Sequence, residues 1–324
     1  MSGHSLIGNS LREALLEREG VVAHMIAPAK VNLRLKVLGR RPDGYHLLSM
    51  LNCSTSLADT VRISFHRDEA CLVEMSSQSA MPPNSGENLV SKAWRYFWRE
   101  FGISEPGFGF RCEIEKRIPI GGGLGGGSSD AGAMLRALRD RFGVVLRREF
   151  GLTYTELAHR LNAAALACGA DVPYAVVGGT AVVTGIGEQV LPVSGRKIWD
   201  GSVVLMVPSD PVPTLAFYDF FRKTRPLLSA CEDRELSRFV TTREGDLVSL
   251  VENDFEGAVC EMVPAIGEAL LRAREVVPEG TALTGSGSVF FSLLKTGQDA
   301  FYGRLVERMD GLGVRCHLCQ ILSG

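Results

Sequence analysis

Between Ile118 and Gly132 the chain reads IPIGGGLGGGSSDAG, with six glycines in the seven positions from Gly121 to Gly127. Each glycine weakens a helix or strand by about 0.5–1 kcal/mol relative to alanine, so no regular element runs through this stretch. It must be a loop that ends a strand and starts a helix. The helix signal follows at once in SSDAGAMLRALRDRFG, with Ser128 or Ser129 as the cap and Gly143 as the end. A loop free of side chains that enters a helix can turn successive backbone N–H groups toward one point. The helix terminus adds about half a positive charge there. Ser128 and Ser129 contribute hydroxyl donors at the same place. The pattern suits a bound polyphosphate; its bland alternative is a structural loop with no ligand.

Two familiar phosphate loops fit poorly. No lysine follows the glycines, as GxxxxGK[ST] requires. Gly121, Gly123 and Gly126 satisfy GxGxxG, but that fingerprint belongs after the first strand of a βαβ unit, with an acidic residue about 20 positions on. Here Pro119 intrudes at the strand end, and the downstream DRFGVVLRREFG is no clear parallel strand.

Around the loop, VNLRLKVLG (residues 31–39) alternates like a half-buried strand and RPDGYH supplies turn chemistry. TVRISFHR and FRCEIEKRI read as strands, NLVSKAWRYFWREFG and TYTELAHRLNAAALACG as helices, and GGTAVVTGIGE as a glycine-punctuated strand pair. After residue 201 come the strand SVVLMVPS, helices through about Val277, TALTGSGSVFFSLLK around a turn, the helix DAFYGRLVERMDG and the strand VRCHLCQIL. Helices between strands in both halves imply an α+β chain. The 324 residues suggest two domains, with PVSGRKIWDG (192–201) as the boundary. The first 24 residues look like a peripheral extension, a short helix ending at Gly20, and Met25 is an alternative start. The expected division is therefore 1–24, 25–198 and 199–324.

A formal net charge of −2 argues against a general nucleic-acid surface. No apolar run approaches the roughly 20 residues of a bilayer span. Of eight cysteines only Cys316 and Cys319 form a CxxC, with no second pair to complete a zinc site. Reduced thiols acting as small core residues of a cytoplasmic protein are the plain reading.

Four segments together, APAKVNLRLKVLGRRPDGYHLL, PIGGGLGGGSSDA, GADVPYAVVGGTAVVTGIGE and LTGSGSVFF, resemble the GHMP kinase superfamily. Within it the chain is similar to the branch acting on a cytidine-diphosphate-linked methylerythritol in isoprenoid precursor synthesis. The resemblance implies a two-domain fold: an N-terminal ribosomal-protein-S5-domain-2-like part and a C-terminal ferredoxin-like α/β sandwich, with the active site in the interdomain cleft. It implies ATP as phosphoryl donor, Mg²⁺ carried with ATP, no dedicated protein metal site, and a monomer or weak homodimer. ATP would lie along Pro119, Ile120, Gly121, Gly122, Gly123, Leu124, Gly125, Gly126, Gly127, Ser128 and Ser129, with Asn88 and Lys116 toward the adenosine.

By the same resemblance Asp171, in GADVP, is the catalytic carboxylate that orients the acceptor hydroxyl and takes its proton. Seen alone it could be a turn residue bonding its own backbone. Lys30 is the second catalytic residue; its ammonium would hold Asp171 ionised, polarise the hydroxyl or offset phosphoryl charge. Asn32 stands two residues on, so a strand presents both to one face, and the resemblance gives it the erythritol part. Tyr45 could stack on a cytosine and His46 bond its polar edge. Tyr218 would cover the other base face, with Phe217 adjacent and the choice open. Thr214 and Asn253 are further candidates. Gly285 and Gly287 would allow close approach to substrate or to the first glycine loop. Another GHMP acceptor (mevalonate, homoserine or a sugar) and a non-catalytic nucleotide-binding module remain as alternatives.

Overall fold

The alternating segment at residues 31–39 is the middle of a longer strand, β1 (Ala23–Arg40), which runs beside β2 (His46–His66). The Pro-Asp-Gly turn joins them: Gly44 sits at φ +94°, and the Arg41 N–H donates to the Tyr45 carbonyl at 2.7 Å. The computed structural model describes residues 10–11, 13–14, 20–68, 70–77, 88–104, 106–193, 198–209, 212, 214–224, 232–242 and 246–322. They form two compact units interleaved along the sequence. The first comprises Met1–Pro28, Ala58–Ile118 and Gly126–Val176; the second comprises Ala29–Leu57, Pro119–Gly125 and Val177–Gly324. β1 and β2 each contribute residues to both.

In the first unit the C-terminal half of β2 pairs antiparallel with β4 (Gly109–Lys116), and β3 (Cys71–Ser77) runs parallel to β4. Helix α1 (Leu89–Arg99) starts where the Asn88 side chain accepts from the Val90 N–H at 2.8 Å. Its buried residues Val90, Ala93, Trp94, Phe97 and Trp98 follow helical spacing and line one face. That face packs against α2 (Gly126–Phe150) and α3 (Tyr154–Cys168), in a core where Trp94, Trp98, Phe108 and Phe142 meet largely edge to face. A capping box of Thr153 and Glu156 opens α3, and Gly169 closes it.

Three expectations need correction here. Helix α2 begins at Gly126, so Ser128 and Ser129 lie within its first turn rather than capping it. It also runs through Gly143 to Phe150. The apolar face continues through Phe142 and Leu146, and a Cβ on Gly143 would stand only 3.2 Å from Leu157 Cδ2, so the glycine serves close α2–α3 packing. Gly151, at φ +63°, follows the helix end instead. The N-terminal segment is not peripheral where it is described. Ser10, Leu11, Glu13 and Ala14 are helical, and Leu11 and Ala14 are buried in the core of the first unit.

In the second unit the N-terminal half of β2 pairs antiparallel with β5 (Thr180–Gly185), which pairs with β6 (Gln189–Pro192). β1 pairs in parallel with the two-residue β8 (Glu252–Asn253). A separate antiparallel sheet has the order β11-β7-β10-β9, from β11 (Val314–Gln320), β7 (Gly201–Pro208), β10 (Phe290–Lys295) and β9 (Thr281–Leu283). Helices α8 (Pro264–Val276) and α9 (Asp299–Met309) pack on each other; α8 also touches β9, and α9 touches β11. This is the α/β sandwich expected of the C-terminal part. Between β7 and α8, in chain order, come α5 (Thr214–Thr224), α6 (Arg234–Thr242) and α7 (Glu256–Met262); α4 (Val172–Val177) precedes β5. Residues 194–197 of the expected boundary lie outside the described residues.

Candidate functional site

In the second unit the glycine loop is seated on β1 and on the turn between β9 and β10. The Lys30 N–H donates to the Leu124 carbonyl at 2.9 Å, and the Val289 N–H donates to that of Gly122 at 3.3 Å. Gly123 has φ +79°, and a Cβ there would stand 3.0 Å from the Gly287 carbonyl oxygen. Gly125 has φ +70°, and its Cβ would stand 2.9 Å from Lys30 Cγ. Backbone conformation and close approach therefore both call for glycine at these two positions. Of the two uses expected for Gly285 and Gly287, approach to the first glycine loop is realised here.

Lys30 and Asn32 share one face of β1, as their spacing requires. Lys30 Nζ donates to Asn32 Oδ1 at 2.8 Å, and both residues are buried. The Asn32 N–H donates to Thr284 Oγ1 at 2.8 Å, and its Nδ2 donates to Asn52 Oδ1 at 2.6 Å. Asn253 ties the turn down from β8: its Nδ2 donates to the Leu283 and Gly285 carbonyls at 2.8 and 2.9 Å. Two residues beyond Asn32, the Arg34 guanidinium is buried and bonds Asp233, Glu235 and the Leu250 carbonyl. One strand face thus carries an ammonium, an amide and a guanidinium in register.

The second unit also gathers the aromatic candidates. His46 stacks on Tyr218 with ring centroids 5.8 Å apart and planes 24° from parallel, and Phe221 meets His46 edge-on at 5.4 Å. Phe217 is fully buried and packs on Phe255 at 5.1 Å, so Tyr218 is the member of that pair beside His46. Burial, then Arg40 and Arg222, lower the His46 pKa. Its ring is neutral at neutral pH and offers one donor and one acceptor. Tyr45 is 58% exposed beside it in sequence. Thr214 opens α5, and its side chain lies outside the described residues.

In the first unit the residues that continue the loop begin α2: Gly126 and Gly127, then Ser128, half-buried, and Ser129, buried. Lys116 is buried at the end of β4, where Nζ contacts Asp59 Oδ2 at 2.5 Å and Asp130 Oδ2 at 2.7 Å. Burial alone would lower the lysine pKa; Asp130 and Asp59 outweigh it and raise it. Asp59 Oδ1 accepts from the Arg117 and Ile118 N–H groups at 2.6 and 2.9 Å, which fixes the chain as it enters the glycine loop. Asn88 caps α1, as described above. Asp171 is half-buried in the turn before α4, its carbonyl accepting from the Ala175 N–H at 3.1 Å. Arg136 on α2 donates to the Ala175 carbonyl, which anchors the same short helix.

Sequence reasoning missed Asn52, Thr284, Asp59, Asp130 and Phe255. Each gains its meaning from a partner distant in sequence, so no local pattern announces it. Among the described residues no three His, Cys, Asp or Glu side chains form a group that could hold a metal ion. Nor is any helix among them long and apolar enough to cross a membrane.

The family described as GHMP kinases N terminal domain matches residues 88–179. A 4-diphosphocytidyl-2-C-methyl-D-erythritol kinase of Syntrophotalea carbinolica is 35% identical over 276 residues, covering 85% of this chain and 90% of that protein. The enzyme of the same name from Chromobacterium violaceum is 35% identical over 290 residues, covering 88% and 91%. A crystal structure of 4-(cytidine 5'-diphospho)-2C-methyl-D-erythritol kinase superimposes with a TM-score of 0.63 at 29% identity, covering 92% of this chain and 99% of that one.

Proposed function

The chain belongs to the 4-diphosphocytidyl-2-C-methyl-D-erythritol kinase family of the GHMP kinases, and from that premise we propose that it phosphorylates the 2-hydroxyl of 4-diphosphocytidyl-2-C-methyl-D-erythritol with ATP. The product serves non-mevalonate isoprenoid precursor synthesis, in the cytoplasm. One observation supports the acceptor beyond family membership. The unit that holds Lys30, Asn32 and the glycine loop also holds the His46–Tyr218 ring pair. A cytidine needs such rings for stacking and edge recognition; a small alcohol such as mevalonate or homoserine does not.

In this reading the triphosphate lies along Pro119–Ser129, held by backbone N–H groups and the start of α2. Asn88 and Lys116 stand toward the adenosine. Magnesium comes with ATP and offsets its phosphate charge. Asn32 holds the erythritol part, with Thr214 as a further contact. His46 bonds the cytosine edge while Tyr45 and Tyr218 flank its faces. Asp171 accepts the proton of the 2-hydroxyl as its oxygen bonds to the γ-phosphorus. The bond from that phosphorus to the bridging oxygen breaks, and ADP leaves. Lys30 stabilises charge on the transferring group.

Phosphorus NMR of the products tests the reaction: ATP and the cytidyl acceptor should give ADP and a new phosphomonoester. ADP release that does not depend on this acceptor would reject it. Asp171→Asn should cut kcat by about 10²–10⁴-fold, the range of a lost general base, and leave ATP affinity near normal. Unchanged turnover would remove the base role.

A further inference from the structure

Asn52 on β2 is fully buried, and its side chain is polar at both ends of the amide. Its Oδ1 accepts from Asn32 Nδ2 at 2.6 Å, while its own Nδ2 has no hydrogen-bond partner. A buried donor left unpaired costs stability, a penalty that the asparagine carries and that hydrophobic packing alone would not retain. Packing therefore does not account for the asparagine.

Orientation of its neighbour does. The Asn32 amide presents its oxygen to Lys30 Nζ at 2.8 Å and to the Thr284 hydroxyl at 3.4 Å. Turned by 180°, it would present N–H donors to an ammonium, which has only donors. The nitrogen end is held by Asn52 Oδ1, with Met50 Sδ at 3.4 Å as a second, weak acceptor. Asn52 is the strong acceptor that selects this orientation.

We propose that Asn52 is a positioning residue for phosphoryl transfer: it fixes the Asn32 amide so that Asn32 Oδ1 holds the Lys30 ammonium in place. This rests on the reading of Lys30 as a catalytic group, and the two can fail separately.

Steady-state kinetics and melting temperatures of Asn52→Leu, Asn52→Asp, Lys30→Met and the Lys30→Met/Asn52→Leu double variant test it. Asn52→Leu should lower kcat by at least about tenfold, as expected for a displaced catalytic group. Its KM for ATP should stay within about twofold, because uniform binding is untouched. Its melting temperature should change little, since the variant removes the unpaired Asn52 Nδ2 and leaves Asn32 Nδ2 with Met50 Sδ alone. Asn52→Asp keeps an oxygen for Asn32 Nδ2 and should keep kcat within about threefold of the parent. In the Lys30→Met background Asn52→Leu should add no further loss, since coupled residues are non-additive. Should Asn52→Leu not fold, Asn52→Met carries the same expectations. Full turnover in Asn52→Leu, equal damage in Asn52→Asp, or an undiminished loss in the double variant would each overturn the proposal. Full turnover in Lys30→Met would instead reject the catalytic reading of Lys30, and this inference with it.

Discussion

A methyl group on Gly125 would do two separable things. It would force a φ of +70° on a residue with a Cβ, and it would push into the Lys30 side chain 2.9 Å away. Gly151 isolates the first effect, since it has φ +63° and nothing within 4 Å of its would-be Cβ. Both Gly125→Ala and Gly151→Ala should lose about 1–2 kcal/mol of stability from the left-handed backbone, read by denaturant unfolding. Only Gly125→Ala should also lose turnover, by about tenfold or more through displacement of Lys30. Equal kcat in the two variants would show that the loop tolerates the shift. At this scale much was legible: glycine density marked the loop, and the two-residue spacing put Lys30 and Asn32 on one face. The sequence suggested that the glycines clear space for a ligand. Gly123 and Gly125 equally clear space for Gly287 and Lys30 of the same chain. Asn52 and Thr284 were illegible because their partner, Asn32, lies 20 and 252 residues away.

Among elements, α2 carries just past its first turn a titratable group that the sequence offered only as a neighbour of the serines. Burial pushes the Asp130 carboxyl up to about 7; Lys116 opposes the shift and Asp59 adds to it. An aspartate in an unfolded chain titrates near 4. From about pH 4 to about 7 the folded protein therefore keeps a proton that the unfolded chain has released. Stability from this group is full below roughly pH 4 and is lost as pH rises through about 7. Asp130→Asn is neutral throughout and still offers Lys116 Nζ an oxygen. Its melting temperature relative to the parent should accordingly climb by several degrees between about pH 5 and 8, as calorimetry would measure. A difference that stays flat with pH would show that Asp130 is ionised in the fold. The length of α2 was misread for a related reason. Gly143 looks like a stop to local propensity, whereas the tight contact with Leu157 is a tertiary effect.

For the whole molecule, element order was legible, because periodicity and turn residues are local. Unit membership was not. The polar stretch 192–201 falls within the second unit, which also draws on residues 29–57 and 119–125. Composition marks where a loop lies and carries no record of strands that return. The second unit is held across that stretch by specific ties. Arg34 bonds Asp233 at 2.8 Å, the Val37 N–H donates to Asp254 Oδ2 at 2.7 Å, and the Leu322 N–H donates to the Ser54 carbonyl at 2.8 Å. β8 has β1 as its parallel partner, and the turn before β10 has Gly122. A fragment of residues 199–324 keeps the four-stranded sheet and loses all of these. Asp233 would be left without the buried guanidinium that, against the opposing effect of burial, lowers its pKa, and breaking such a buried pair costs about 3–5 kcal/mol, a large part of a domain's 5–15. The fragment should show no cooperative thermal transition and should bind a hydrophobic dye, while the full chain melts cooperatively. A sharp, reversible melt of the isolated fragment would establish residues 199–324 as a domain that folds alone, and would reduce those ties to surface contacts of little energetic weight.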